Sequence, residues 1–98
     1  MNNSDDGTVR VIFRKFHNGD VIALFPRIPA DMCREHCQSY QTIGQHGAAS
    51  VDLSYCTVPA RPADYAALVE ELRSIGYHLE IRSRFTQFDH TARHEAIK

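Results

Sequence analysis

Apolar and polar residues alternate at the start of the chain, with Val9, Val11 and Phe13 on one side and Arg10, Ile12 and Arg14 on the other. This is the two-residue period of a strand. Asn18-Gly19 follows, and then a second β-rich run from Val21 to Phe25. Asn and Gly tolerate the positive φ that both central positions of a type I′ turn require, so the pair predicts a two-residue hairpin. The second run is apolar on both faces, Val21, Ala23 and Phe25 against Ile22 and Leu24, which places it inside the sheet. Pro26 and Pro29 end it.

Residues 30–36, ADMCREH, read as one helical turn or a loop. CQSYQTI then predicts a short strand, GQHG a turn, and ASVDLSYC a strand with Val51, Leu53 and Tyr55 on one face. Gly44 and Gly47 suit a tight reversal. Pro62 and Asp64 mark a helix start, and Tyr65, Leu68, Val69, Leu72 and Ile75 make one helical apolar stripe. Gly76 fits the left-handed position past the helix end. Tyr77, Leu79 and Ile81 alternate with His78, Glu80 and Arg82 as a last strand.

The expected fold is α+β, an antiparallel sheet of four or five strands with one principal helix on one face, in the order β-β-β-β-α-β. A ferredoxin-like split would need a second helix, for which only residues 30–36 are available, and they are short and poorly periodic. Residues 1–8 are expected as a disordered tail, 9–85 as the single domain, and 86–98 as a frayed helix or disordered tail.

The motifs IFRKF…GDVIALFP, SY…GQHG and YA.L..EL..IGY resemble a family of short uncharacterised bacterial and phage-associated proteins, over roughly residues 10–83. The resemblance implies a shared fold and no activity. The cysteine pair and the segment after Phe85 lie outside its motifs.

Composition narrows the function by exclusion. The chain has 98 residues, 43% hydrophobic and 23% charged, with a net charge of −1, so no global field draws it to nucleic acid or membrane. It has no apolar run of membrane-spanning length and no signal-peptide pattern at its start, and a cytoplasmic location is expected. Cys33, Cys37 and Cys56 are an odd set, expected as reduced thiols.

Candidate chemistry is sparse. Cys33 and Cys37, with His36 or His46 and Cys56, offer thiolate and imidazole donors for zinc, although the second C-x₂₋₄-C pair of a zinc ribbon is missing. Cys37 and His46 would otherwise make a nucleophile and base, but nine intervening steps of extended chain separate them by about 30 Å. His90, His94 and Glu95 group near the C-terminus. Arg10, Arg14 and Phe16 on the first strand and Arg82 on the last would form a cationic stripe on a helix-free face, fit for an acidic partner, a homodimer or weakly held nucleic acid. Gln45 and His46, exposed in their turn, are a second contact point. No cofactor is implied. The expected role is a small non-enzymatic binding or accessory module with a protein partner or a second copy. A thiol- or metal-dependent activity at Cys37 and His46 is the alternative.

Overall fold

The computed structural model describes residues 8–41 and 45–97. These form β1 (Thr8–Lys15), β2 (Val21–Pro29), β3 (His36–Gln41), β4 (Gln45–Ser50), α1 (Leu53–Cys56), β5 (Val58–Pro59), α2 (Pro62–Ser74), β6 (His78–Arg82) and α3 (Gln87–Ile97). One sheet runs β4-β3-β2-β1, and the outer edge of β1 is divided. β6 lies parallel to it from Thr8 to Ile12, and β5 meets it antiparallel at Arg14 and Lys15. The remaining pairings are antiparallel. The fold is α+β with α2 as its principal helix. The parallel seam and α3 are additions to the expected order.

Two cores follow from the strand alternation. Val11, Phe13, Ala23, Phe25 and Tyr40 pack against Leu68, Val69 and Leu72 of α2. On the other face Ile12, Ile22, Leu24, Cys37, Ala49 and Val51 form a second cluster, joined by Phe16, Leu53 and Phe85. β2 is buried on both sides because it feeds both cores, as its unbroken apolar run predicts. At the start of α2 the Asp64 carboxylate accepts the Arg61 N–H at 2.9 Å. At its end Gly76 has φ 110°, and the Gly76 and Tyr77 N–H groups donate to the Arg73 and Leu72 carbonyls at 3.1 Å each, a Schellman closure. Ile75, placed in the apolar stripe by spacing, is the C-cap residue and 52% exposed.

Two turns differ from their expectation. In the first hairpin the Gly19 N–H donates to Phe16 O at 2.9 Å and the Phe16 N–H to Asp20 O at 2.8 Å. This is a three-residue loop, with a turn over His17 and Asn18 followed by Gly19 at φ 96°, in place of the two-residue turn. Asn18 instead binds Asp20, accepting its N–H at 3.0 Å. In the second hairpin β3 and β4 pair from His36↔Ser50 to Gln41↔Gln45. Gln45 and His46 therefore open a strand and are not turn residues; the reversal itself, with Gly44, lies outside the described residues.

The strand expected to run on through Tyr55 stops at Ser50. Ser50 Oγ accepts the Asp52 N–H at 3.1 Å and Thr57 Oγ1 donates to Leu53 O at 2.7 Å. Such local side-chain bonds compete with a ladder. They bend the segment into α1 and leave Tyr55 88% exposed.

Residues 86–97, expected as a frayed helix or tail, cap and dock. Thr86 Oγ1 accepts the Asp89 N–H at 3.2 Å while the Asp89 carboxylate accepts the Thr86 N–H at 2.8 Å, a reciprocal capping box. α3 lies against β2 through Asp89 and Arg93, which are 0% and 1% exposed.

Candidate functional site

The basic face of β1 and β6 is covered, not open. The two strands are neighbours as the stripe required, with Arg10 opposite Glu80 and Ile12 opposite Arg82. Their arginines, however, meet acids within the chain. Arg10 Nη1 donates to Glu80 Oε2 at 3.1 Å, and its Nε lies 2.7 Å from Asp89 Oδ1. The second contact lacks hydrogen-bond alignment, so it is an ion pair only. Arg27 Nε donates to the same Asp89 oxygen at 2.7 Å, and its guanidinium stacks over Phe88 at 4.6 Å. Arg82 pairs with Glu80 at 2.8 Å and stays exposed. Arg14 is buried and donates to Thr57 Oγ1 at 3.0 Å and Thr57 O at 2.6 Å. Phe16 is half-buried against the second core. Arg10 and Arg14 are thus engaged within the chain, while Arg82 stays exposed at the margin of this face.

Asp89 holds that closure. Burial alone would raise its carboxyl; the bonds from Arg27 and Thr86 and the charge of Arg10 overcome it and hold the group below the usual carboxylate range.

Arg93, one turn further along α3, meets no carboxylate in this network. The β2–β3 ladder shifts register between Phe25 and Pro29, where two prolines lack the N–H a ladder needs. Arg93 fills the gap, donating to Pro26 O at 2.7 Å and Arg34 O at 3.1 Å. Its Nη2 lies 2.8 Å from His90 Nδ1. A guanidinium cannot accept, so that nitrogen of His90 is the acceptor. Burial, and then the Arg93 charge, lower the His90 pKa. His90 also stacks on Phe85 at 5.4 Å. Held by Arg93 and Phe85, it does not form an open ligand set with His94 and Glu95.

The cysteines do not converge. Cys37 is 0% exposed in the second core, and burial pushes its thiol up to about 11, against smaller opposing effects of Arg93 and the Phe25 backbone. Cys56 is exposed on α1 and donates to Leu53 O at 3.6 Å. His46 pairs across the ladder with Tyr40, on the face opposite Cys37. The alternative nucleophile–base pair, Cys37 and His46, is therefore separated by the sheet, since residues 37 and 40 have opposite parity. Cys33 and His36 do come together, and Asp31 joins them. The three donor atoms lie within 4.8 Å of one another. Asp31 was missed because a lone carboxylate in a loop has no periodicity; its signal is the tight spacing D-x-C-x-x-H.

β4 is the open edge of the sheet: among the described residues no strand pairs with its outer side. His46, Gly47 and Ala48 are exposed along it. On the α2 side His46 is braced, its ring against Tyr40 at 4.6 Å and its Nε2 3.2 Å from the Tyr77 hydroxyl. The Tyr40 hydroxyl in turn donates to Glu71, and Tyr77 stacks on Phe25 at 5.3 Å. Along the same strand runs an open groove of about 560 Å³, with Ser39, Gly47, Ala49, Ile22 and Leu53 in its wall. Ser39 Oγ donates to Gly47 O at 3.0 Å and fixes its floor.

Compared with protein-family models, with curated proteins and with solved structures, the chain matches none. Among the described residues no helix is long and apolar enough to cross a membrane.

Proposed function

We propose that this chain is a small non-enzymatic binding module that works by strand addition at β4, and that its occupant is a second copy of the chain. The observation that carries the reading is the unguarded edge. Sheet edges are ordinarily blunted by charge, proline or a bulge; QHGAAS has no Asp, Glu, Lys, Arg or Pro, and its ladder with β3 runs six pairs without a shift. Antiparallel pairing about a two-fold axis sets each β4 residue against its counterpart, so a strand without carboxylates or basic chains brings no like charges together. The groove beside Gly47 gives a facing side chain somewhere to go. His46 at the start of the edge is braced by Tyr40 and Tyr77.

A catalytic reading has less support, because among the described residues no cysteine thiol is hydrogen-bonded to a histidine, as a thiol nucleophile and its base require. The motif resemblance to short bacterial and phage-associated proteins implies a fold only and names neither a role nor a partner.

Sedimentation velocity over a rising concentration series tests the proposal. A dimer is expected for the wild type and a monomer for Ala48→Lys, with equal far-UV spectra. A wild type that stays monomeric throughout overturns pairing with a second copy.

A further inference from the structure

We propose that Asp31, Cys33 and His36 form a surface site for one divalent transition-metal ion of the zinc class, bound through a carboxylate oxygen, a thiolate and an imidazole nitrogen. The site is independent of the β4 edge and of the proposed pairing there.

The donor set fits that class of ion. Zinc takes thiolate at about 2.3 Å and imidazole or carboxylate at about 2.0–2.2 Å in a tetrahedron. Donors around such a centre stand roughly 3.3–3.7 Å apart. Here all three lie within 4.8 Å of one another, and Asp31 Oδ2 is 2.9 Å from His36 Nδ1. Closing around an ion thus requires changes of about 1 Å in the separations of the donor atoms.

The backbone is already fixed. Asp31 Oδ1 accepts the Cys33 N–H at 2.9 Å, and Cys33 O accepts the His36 N–H at 3.1 Å. One residue before His36, Glu35 O accepts the Val51 N–H at 2.8 Å, and His36 itself opens β3 opposite Ser50. The loop rests on α3 through the bond from Arg93 to Arg34 O.

The three residues are brought together by the bonds of Asp31 to the Cys33 N–H and the His36 ring and not by core packing. Asp31 and Cys33 are exposed and His36 is half-buried, so no core holds them together, and an exposed Asp–His pair contributes little stability. Three protein ligands leave the fourth position to water or an incoming donor, the pattern of an open zinc site. Cys37 faces the core and is no competitor, while Cys56 lies on α1.

The test is a cobalt(II) titration of the reduced, metal-free chain, with zinc(II) as competitor. One equivalent of cobalt should give a thiolate charge-transfer band in the near ultraviolet together with visible bands of four-coordinate cobalt, and zinc should bleach both. Cys33→Ser should remove the charge-transfer band. Asp31→Asn and His36→Gln should each weaken binding on the order of tenfold or more, and Cys56→Ser should leave it unchanged. Zinc should also raise the thermal midpoint of the wild type and not of His36→Gln. These are surface side chains, and equal metal-free midpoints identify variants that fold. No band in the wild type, a band that survives Cys33→Ser, or one that vanishes with Cys56→Ser overturns the site.

Discussion

Arg93 donates a 2.7 Å hydrogen bond to the carbonyl of Pro26, across 67 positions of sequence and at the point where the β2–β3 ladder loses its register. A buried guanidinium here replaces the strand hydrogen bonds that two prolines forbid. The same side chain reaches Arg34 O and His90, so it joins α3, β2 and the loop before β3.

Arg93→Met should therefore destabilise by about 2–4 kcal/mol, since it keeps much of the volume and leaves the Pro26 and Arg34 carbonyls without their donor. Arg93→Lys should recover less than half of the loss, because one ammonium cannot span three acceptors. Urea unfolding monitored by far-UV circular dichroism measures both. A midpoint unchanged in Arg93→Met would show that water replaces the guanidinium at no cost.

Asp89→Asn should cost about 2–3 kcal/mol at neutral pH, less than the ~3–5 of a fully orphaned buried pair, because Arg10 keeps Glu80 and Arg27 reaches solvent. The pH dependence has a defined sign. Asp89 titrates lower in the folded chain than in the unfolded one, so its contribution is complete above the unfolded value near ~3.9 and is lost as pH falls through the folded value. His90, also lowered, acts in the same direction and begins earlier, below ~6.5. Stability of the wild type should fall with acid in both windows, and Asp89→Asn should flatten the lower one. Equal slopes for the two proteins below pH ~4 would contradict the role given to Asp89.

Thiol labelling should distinguish the three cysteines. Cys33 and Cys56 are exposed and Cys37 is enclosed. With its thiol held up to about 11, Cys37 has almost no thiolate at neutral pH. Two fast labels and a third that appears only on unfolding are expected, read by mass spectrometry with peptide mapping. Fast labelling of Cys37 would mean that the second core opens locally.

Gly19→Ala should cost about 1–2 kcal/mol through backbone strain alone, since the residue sits at φ 96° and an added Cβ would meet nothing within 4 Å. Chemical denaturation reads it directly, and no loss would mean that the loop shifts to another turn type at no cost.

What the residue pattern revealed and what it hid divide along a physical line. Val9, Val11 and Phe13, the double-sided Val21–Phe25 run and the stripe from Tyr65 to Leu72 are apolar at fixed periods, and each lies where its period puts it. Pro62 and Gly76 act through backbone geometry and were equally legible. α3 docks by a polar side, Asp89 and Arg93, and a helix attached by ion pairs and carbonyl bonds offers no apolar stripe to read. The arginines of β1 are hidden from the pattern for the same reason: alternation alone puts Arg10 on an open face, and its partner Asp89 comes from 79 positions away. Asn18-Gly19 marked a hairpin but not its loop length, which the Phe16 and Gly19 bonds decide. At the candidate site Cys33 and His36 were visible as donors. Their convergence with Asp31 depends on a loop conformation that carries no periodic signal.

The divided outer edge of β1 also dictates an order of assembly. β1 to β4 pair as sequence neighbours, and such local contacts cost little chain entropy to close. The seam between β1 and β6 joins residues 70 apart in register, and among the described residues no other strand pairs with Thr8–Ile12 on that edge. During synthesis β1, made before β2 to β6, is thus finished only after them. Until then Arg10 waits in water for Glu80 and Asp89. High-separation contacts of this kind set the folding rate of small domains, so the slow step is expected where β6 joins β1, while the meander of hairpins is already in place.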